Sequence, residues 1–448
     1  MVNTNTPFKQ HADVNYLVVG LGLTGFSTAR YLMSKDYCCR VQDTRDIPPY
    51  FHALRTEFPL VDIIRQPLNS ELIDWADVLV VSPGLSIAQP EIIHAIDLGK
   101  SVIGDIELFA QVVNKPVVAI TGSNGKSTVT TLLGEMIAAD NKSVAVGGNL
   151  GIPALDLLPK MVDYFVLELS SYQLETTKSL QLVSATVLNF SEDHLDRYNS
   201  YADYIQAKLH IYEKAKTCVS NEDDETTRHD SNDILFGLTG TSKAEFGLVV
   251  NDSGTWLAHK NEPWINVKQL KVCGRHNWAN CLAAMALACT LDISRQAIIK
   301  AMIEFKGIPH RSEWIAEIEG VEWINDSKAT NVGAALASIE SQDRPIILIA
   351  GGQSKNADMG VLYEPIKQRV KLVLLMGVDA DRIEHAWVGA APIERVDHMA
   401  NAVVRAKQEA VSGDCVLLAP ACASFDMYSK FEARGDDFAN QVRQLHHV

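Results

Sequence analysis

Eight consecutive residues, Thr121-Gly122-Ser123-Asn124-Gly125-Lys126-Ser127-Thr128, combine two glycines, several small hydroxyls and one lysine. The apolar run Val117–Ile120 precedes them and an apolar helical pattern follows. A strand–loop–helix of this composition can turn its backbone amides toward phosphate oxygens. Its lysine then meets the β- and γ-phosphates, and a hydroxyl at the helix start faces magnesium. Gly122, Ser123, Asn124 and Gly125 would form the cradle, Lys126 would supply the charge, and Ser127 or Thr128 the hydroxyl. The spacing is the short G-x-x-G-K-S-T form, because Ile120 stands where the longer form has its first glycine.

A second glycine motif, Gly20-Leu21-Gly22-Leu23-Thr24-Gly25, follows another apolar run, and Asp43 lies about 20 residues on. It matches G-x-G-x-x-G in full. Glycine lets a diphosphate approach the amides of a helix N-terminus, and an acid at this distance can accept a ribose hydroxyl. Taken alone the motif suggests NAD, although any nucleotide diphosphate satisfies the same physics and a tight strand–helix turn needs no ligand. A dehydrogenase explains this motif and ignores the first one; an enzyme using two nucleotides explains both.

Glu168 follows the apolar run Phe165–Leu167, which sets it near the C-terminal end of a strand, the edge where open α/β sheets gather their sites. It could ligate Mg²⁺ beside the phosphates, or be a surface carboxylate. His194, in Ser191-Glu192-Asp193-His194, follows the next run and reads equally as structural or functional. Lys208 sits in a helical pattern, where lysine is ordinarily a solvated face residue.

The elements that must position these groups alternate short apolar runs with helical patterns, the signature of α/β layers with parallel sheets. Runs at Tyr16–Val19, Val78–Val81 and Val102–Ile103 make a first block. Val117–Ile120, Phe165–Leu169 and Thr186–Phe190 make a second, and Ile346–Ala350, Leu372–Met376 and Val416–Ala419 a third. Breaks fall near residues 104 and 308, giving expected domains 1–104, 105–308 and 309–448. The polar stretch Asn221–Asp233 reads as a surface loop between strands, and 274–290 as a helix rich in Ala and Leu.

The 448 residues suffice for several cores, and 47% hydrophobic with 21% charged residues is ordinary globular composition. A net charge of −15 disfavours nucleic acid as a partner. The polar stretch 1–15 lacks the apolar core of a secretory leader. No apolar run reaches the roughly 18 residues needed to span a membrane. Eight scattered cysteines without zinc-site spacing read as reduced thiols of a cytoplasmic protein.

The phosphate loop resembles that of the Mur ligases and folylpolyglutamate synthases. An ordered set of further segments resembles the Mur ligases specifically, in the branch that adds D-glutamate. It comprises Glu168-Leu169-Ser170-Ser171-Tyr172-Gln173-Leu174-Glu175, Glu192-Asp193-His194-Leu195-Asp196-Arg197-Tyr198 and Ala207-Lys208-Leu209. It continues with His276-Asn277, Pro309-His310-Arg311, Asn325-Asp326-Ser327-Lys328-Ala329-Thr330-Asn331 and Pro420-Ala421-Cys422-Ala423-Ser424. The set covers nearly the whole chain.

The resemblance implies an α/β fold of three domains: an N-terminal Rossmann-like uridine-nucleotide domain, a central P-loop-type ATPase sheet and a C-terminal Rossmann-like domain. It reassigns the Gly20–Gly25 motif from NAD to UDP, with Leu23, Thr24, Asp43, Thr44, Arg45 and Gly84 at the uridine positions. Asn149, Ser170 and His194 would also meet the substrate. It implies a ligase that joins UDP-N-acetylmuramoyl-L-alanine to D-glutamate through an acyl phosphate, using ATP and two Mg²⁺ ions, and working as a monomer. Ser127 or Thr128 and Glu168 would hold one Mg²⁺. His194 and Lys208, carbamylated in this family, would hold the other. Asn277, Asn280, His310, Arg311 and Asp326 would contact ATP, with Lys328 near the transferring phosphoryl group. Thr330, Lys355, Ser424 and Phe431 would receive D-glutamate. The chain departs from the family at Gln353-Ser354, where Asp-Gly is common, and at Phe425, where Leu is expected. An Asp-Asn-Pro-x-Arg motif, which marks the sibling that adds a diamino acid, is not found.

Overall fold

The computed structural model describes residues 14–191, 197, 198, 200–239, 244–272, 274–355 and 357–445. Three sheets organise them. The first orders its strands Asp62–Ile64, Cys38–Gln42, Asn15–Val19, Val78–Val81, Ser101–Ile103, all parallel. The third orders Glu313–Ile318, Val321–Asn325, Cys415–Leu418, Ile346–Gly351, Val370–Met376, Ile393–Arg395. Between them in sequence lies a nine-stranded sheet, one end of which runs Leu182–Val187, Val117–Thr121, Tyr164–Glu168, Val144–Gly148 in parallel. The fold is therefore α/β throughout, as the alternating patterns imply.

Central strands of a parallel sheet are covered on both faces, which explains why Val117–Thr121 reads as an unbroken apolar run and is buried at all five positions. Truncating its Ile120 to alanine is expected to cost about 2–5 kcal/mol. Parallel sheets are the expectation, and antiparallel additions depart from it among the described residues. Phe246–Asn251 pairs with Gly254–His259, and Glu313–Ile318 with Val321–Asn325. Each is a hairpin made by its turn chemistry. Glu319 and Gly320 adopt φ of 54° and 79°, matching the right-handed strand twist, and Asn251 Oδ1 accepts from the Ser253 amide.

Contacts divide the chain into two compact units, Met1–Trp264 with Asn280–Ala301, and Ile265–Ala279 with Met302–Val448. The first two sheets share the first unit, and one apolar cluster runs through both, from Val18 and Phe26 to Phe109, Phe165 and Leu167. Ser27 and Arg30 of the first sheet's leading helix reinforce it by bonding Asp156, at 2.8 and 2.7 Å. In the second unit the third sheet is covered on both faces, with Trp387 in one cluster and Trp323 in the other. Among the described residues no helix is long and apolar enough to cross a membrane, and the cysteines, described except for Cys273, are free thiols.

Candidate active site

Four neighbouring strands of the nine-stranded sheet end together, and their C-terminal ends deliver the phosphate loop, Glu168, Asn149 and Asn189 to one edge. Gly125 caps the helix Lys126–Ala139 in the left-handed region, at φ 82°. A Cβ there would stand 2.3 Å from Asn280 Oδ1, so the position requires glycine. Asn189 seats the loop from behind: its carbonyl accepts from Ser123 N and its Oδ1 from Asn124 N, both at 2.9 Å.

Lys126 Nζ folds over this loop and donates to the carbonyls of Gly122 and Ser123, at 2.8 and 2.9 Å. Of the two candidate hydroxyls, Ser127 is the one whose Oγ donates to Glu168 Oε2, at 2.6 Å. Asn149 Nδ2 donates to the other carboxylate oxygen at 2.7 Å. Glu168 is buried, which excludes the surface-carboxylate reading. A hydroxyl and an oriented carboxylate are the hard oxygen donors that suit Mg²⁺.

Lys208 departs from the solvated-lysine reading. Its side chain is buried, with Nζ 2.9 Å from Gly122 O and 5.0 Å from the centre of the Tyr204 ring. Tyr204 precedes Lys208 by four residues on the same helix, so both face one way. Its hydroxyl reaches Ser123 Oγ at 2.8 Å. Lys126, Lys208, Asn149, Ser170 and Tyr204 line one cavity of about 330 Å³ together with Pro83 and Gly84 of the first sheet. Ser170 is fixed by a reciprocal cap with Gln173, which donates to the buried Asp105 at 3.3 Å. Burial pushes the Asp105 carboxyl up to about 6, against the donors that face it. His194 lies outside the described residues.

At the C-terminal edge of the first sheet, Leu23, Thr24, Asp43, Thr44, Arg45 and Gly84 line a second cavity of about 530 Å³, and Pro83 and Gly84 border both. Gly25 permits the turn, since a Cβ there would meet Gly20 O at 1.8 Å. Asp43 accepts from Leu21 N, Arg45 N, Arg45 Nε and a terminal Arg45 nitrogen, at 2.7–2.9 Å. Burial works to raise its carboxyl, but the bonds from Arg45 and the Leu21 amide overcome this and hold it at about 2. Four donors use the acceptor positions of a carboxylate. In this arrangement Asp43 orients Arg45, whose side chain remains 52% exposed.

The second unit gathers most of the remaining candidates around the start of helix Phe431–Gln444. His310, buried and at φ 65°, shares a hydrogen bond with Asn325 Nδ2 at 3.1 Å, and its carbonyl accepts from Lys328 N at 3.0 Å. Lys328 Nζ lies 4.2 Å from the centre of the Phe431 ring. Asp326 follows Asn325; burial raises its carboxyl to about 6, with Arg311 and Ser312 opposing. Thr330 follows on the same segment, its amide bonded to Lys328 O at 2.7 Å. Gln353 pairs with Ala423 through two backbone bonds, which joins the segment that carries Lys355 to the one that carries the buried Ser424. Phe425, one of the departures, is 65% exposed. Asn277 belongs to this unit and Asn280 to the first.

Sequence reasoning missed Asn189, Tyr204, Gln173 and Arg434. The last is buried and binds Ser327 Oγ, Ser327 O and Cys422 O at 2.9–3.1 Å, tying two of the motifs together. Only Tyr204 had a local signal, its four-residue spacing from Lys208.

Comparison with known families matches all three parts of the chain. The MurD-like N-terminal domain of Mur ligases matches residues 14–104, the Mur ligase middle domain residues 120–288, and the Mur ligase glutamate ligase domain residues 310–422. UDP-N-acetylmuramoylalanine–D-glutamate ligase of Nitrosococcus oceani is 46% identical, across 98% of this chain and 99% of its own. The enzymes of that name from Pseudomonas aeruginosa and Legionella pneumophila (strain Paris) are 46% and 44% identical, each across 96% of this chain. Two solved structures share the fold at TM-score 0.58. They are a pseudomurein peptide ligase type C from Methanothermus fervidus, 20% identical across 96% of this chain and all of its own, and UDP-N-acetylmuramate–alanine ligase from Thermotoga maritima, 18% identical across 96% and 99%. With a middle-domain phosphate loop, a MurD-like N-terminal domain and relatives at this identity over almost its full length, the chain belongs to the Mur ligase family.

Proposed function

We propose that this chain is the ATP-dependent ligase that forms the amide bond between UDP-N-acetylmuramoyl-L-alanine and D-glutamate in peptidoglycan precursor synthesis, acting in the cytoplasm as a monomer. The observation that carries the reading is the cavity bordered by Lys126, Lys208 and Asn149 on one side and by Pro83 and Gly84 on the other. It joins the phosphate loop to the loop that also borders the Arg45 cavity. A uridine diphosphate lying against Arg45 can therefore extend its acyl end toward the phosphate loop. Relatives named for this activity, 44–46% identical almost end to end, support the same substrate pair.

Residues 1–104 then bind the UDP precursor, 105–308 perform phosphoryl transfer, and 309–448 supply contacts to ATP and D-glutamate. The precursor's carboxylate oxygen attacks the γ-phosphorus, an O–P bond forms, the bond to the β-phosphate oxygen breaks and ADP leaves. The amine of D-glutamate next attacks the acyl carbon, the C–O bond to phosphate breaks and the surplus amine proton passes to solvent. Lys126 neutralises charge on the transferring group, and Asn149 and Ser170 orient the acyl end. Asn277, Asn280, His310, Arg311 and Asp326 contact ATP, with Lys328 beside the phosphoryl group. Thr330, Lys355, Ser424 and Phe431 receive D-glutamate. Ser127 and Glu168 fit one Mg²⁺, with Thr128 beside them. His194 and Lys208, the latter as a carbamate, would hold a second. Bound Mg²⁺ draws negative charge from the phosphate oxygens.

The test offers the precursor and ATP with D-glutamate, L-glutamate, L-alanine or diaminopimelate separately and follows phosphate release. Release with D-glutamate alone is expected. Equal turnover with L-alanine or the diamino acid would overturn the assignment.

A further inference from the structure

The polar stretch Asn221–Asp233, which the proposed reaction does not use, brings three ligand types together. Cys218 lies on the strand Ala215–Asn221, and His229 and Asp233 lie in the loop that follows it. Their sulfur, ring nitrogen and carboxylate oxygen all lie within 4.8 Å of one another. We propose that Cys218, His229 and Asp233 form a binding site for a soft divalent ion, Zn²⁺ by its chemistry, separate from the phosphate-loop site.

The donor set selects the ion. One thiolate, one imidazole and one carboxylate, with water as the fourth ligand, suit tetrahedral Zn²⁺. Mg²⁺ takes oxygen ligands and dehydrates reluctantly, so it has no reason to leave Ser127 and Glu168 for this cluster. Asp233 is already aimed. Its Oδ2 accepts from Ser220 Oγ at 2.5 Å and from His229 N at 2.7 Å, while Oδ1 has only a long contact, 3.3 Å, from Asp230 N. The His229 ring packs against Tyr212, with centroids 5.5 Å apart. Burial first, and then the charges of Asp233 and Asp230, push the Cys218 thiol up to about 12. A dication among these groups reverses that balance. The S–H bond breaks, an S–Zn bond forms, and the proton leaves to solvent; His229 binds through its neutral lone pair.

The position gives the ion a consequence. The loop it would clip also supports the wall of the phosphate loop, because Asp224 Oδ2 accepts from Phe190 N at 2.8 Å and Asn221 Nδ2 donates to Leu188 O at 2.9 Å. Asn189, between them, is the residue that seats Ser123 and Asn124.

The full-length, metal-free protein is titrated with Co²⁺ as the spectroscopic probe. A near-ultraviolet sulfur-to-cobalt charge-transfer band saturating at one equivalent is expected, and Zn²⁺ should displace it. An ion on Ser127 and Glu168 has no sulfur ligand and cannot give that band. Cys218→Ser should abolish it, and Cys38→Ser, on an exposed thiol, should leave it intact. His229→Gln, at an exposed position that does not threaten folding, should weaken Co²⁺ binding at least about tenfold, the least that loss of even a second-shell partner costs. Absence of the band in the wild type, its survival in Cys218→Ser, or unchanged affinity in His229→Gln would each overturn the site.

Discussion

Lys126 and Lys208 donate to the same backbone oxygen, that of Gly122, at 2.8 and 2.9 Å. Two ammonium groups thus converge on one neutral acceptor, and one of them is buried. Burial favours the neutral form of an amine, and only a neutral amine attacks CO₂. We propose that a carbamate on Lys208 Nζ places an anion where it can face Lys126.

Lys208→Ala is therefore expected to lose turnover by at least about 10²-fold, the range seen when one transition-state-stabilising group is removed. Formate or acetate should restore part of it, because either returns an anionic oxygen donor to the cavity. Lys126→Ala, which lacks a cation, should not respond to either. Steady-state rates with formate and with methylammonium separate the possibilities. Rescue of Lys208→Ala by methylammonium instead would mean that the lysine acts as a plain cation.

The two phosphate-type loops were legible because their information is local: a glycine that must turn, an apolar strand before it, a helix after it. Arg45 was legible as a cation, but Asp43 was not legible as its clamp, since a carboxylate two residues from an arginine reads equally as a ribose ligand. Lys208 shows a different limit. A lysine in a nine-residue helix with a modest apolar face gives no sign of burial, and only the packing of Tyr204 and the phosphate loop over it decides the matter. Asn189 and Arg434 act across 65 and 107 residues of sequence, and no spacing rule reaches that far. The hairpin additions escaped for a related reason: a short half-buried strand carries too few positions to reveal its period.

Asp105 makes stability depend on pH in a predictable direction. Its carboxyl is held at about 6 in the fold, and an unfolded aspartate titrates near about 3.9. A raised acid is stabilising while protonated, so its contribution is present below about pH 4 and disappears as pH rises through 6. Above that the fold carries a buried charge faced by Gln173 Nε2, a neutral donor, at 3.3 Å. Asp105→Asn should stabilise the fold at pH 8 by on the order of 2 kcal/mol, by roughly half as much at pH 5, and hardly at all below about pH 4. Thermal melts of both proteins across that range test the sign. A variant less stable at pH 8 than the wild type would show that the charged form is the one the fold needs.

Arg434 offers the strictest test of the C-terminal site. Its guanidinium is buried, and burial lowers its pKa to about 10, so it remains charged at neutral pH. Its bonds to Ser327 Oγ, Ser327 O and Cys422 O hold the Asp326-Ser327-Lys328 segment against the Cys422-Ala423-Ser424 segment. Removing it leaves buried carbonyls unpaired, each at a cost of about 1–3 kcal/mol. Arg434→Met should thus lower the melting temperature, and that alone would prove only a structural part. Arg434→Lys separates the two effects, because it keeps the charge but lacks the planar fork that spans both segments. If the fork positions Ser424 and Lys328, Arg434→Lys should raise the KM for D-glutamate several-fold while the KM for the UDP precursor, which we propose binds in the other unit, stays the same. A parallel rise in both constants would reduce Arg434 to general stability, and unchanged constants would remove it from the site altogether.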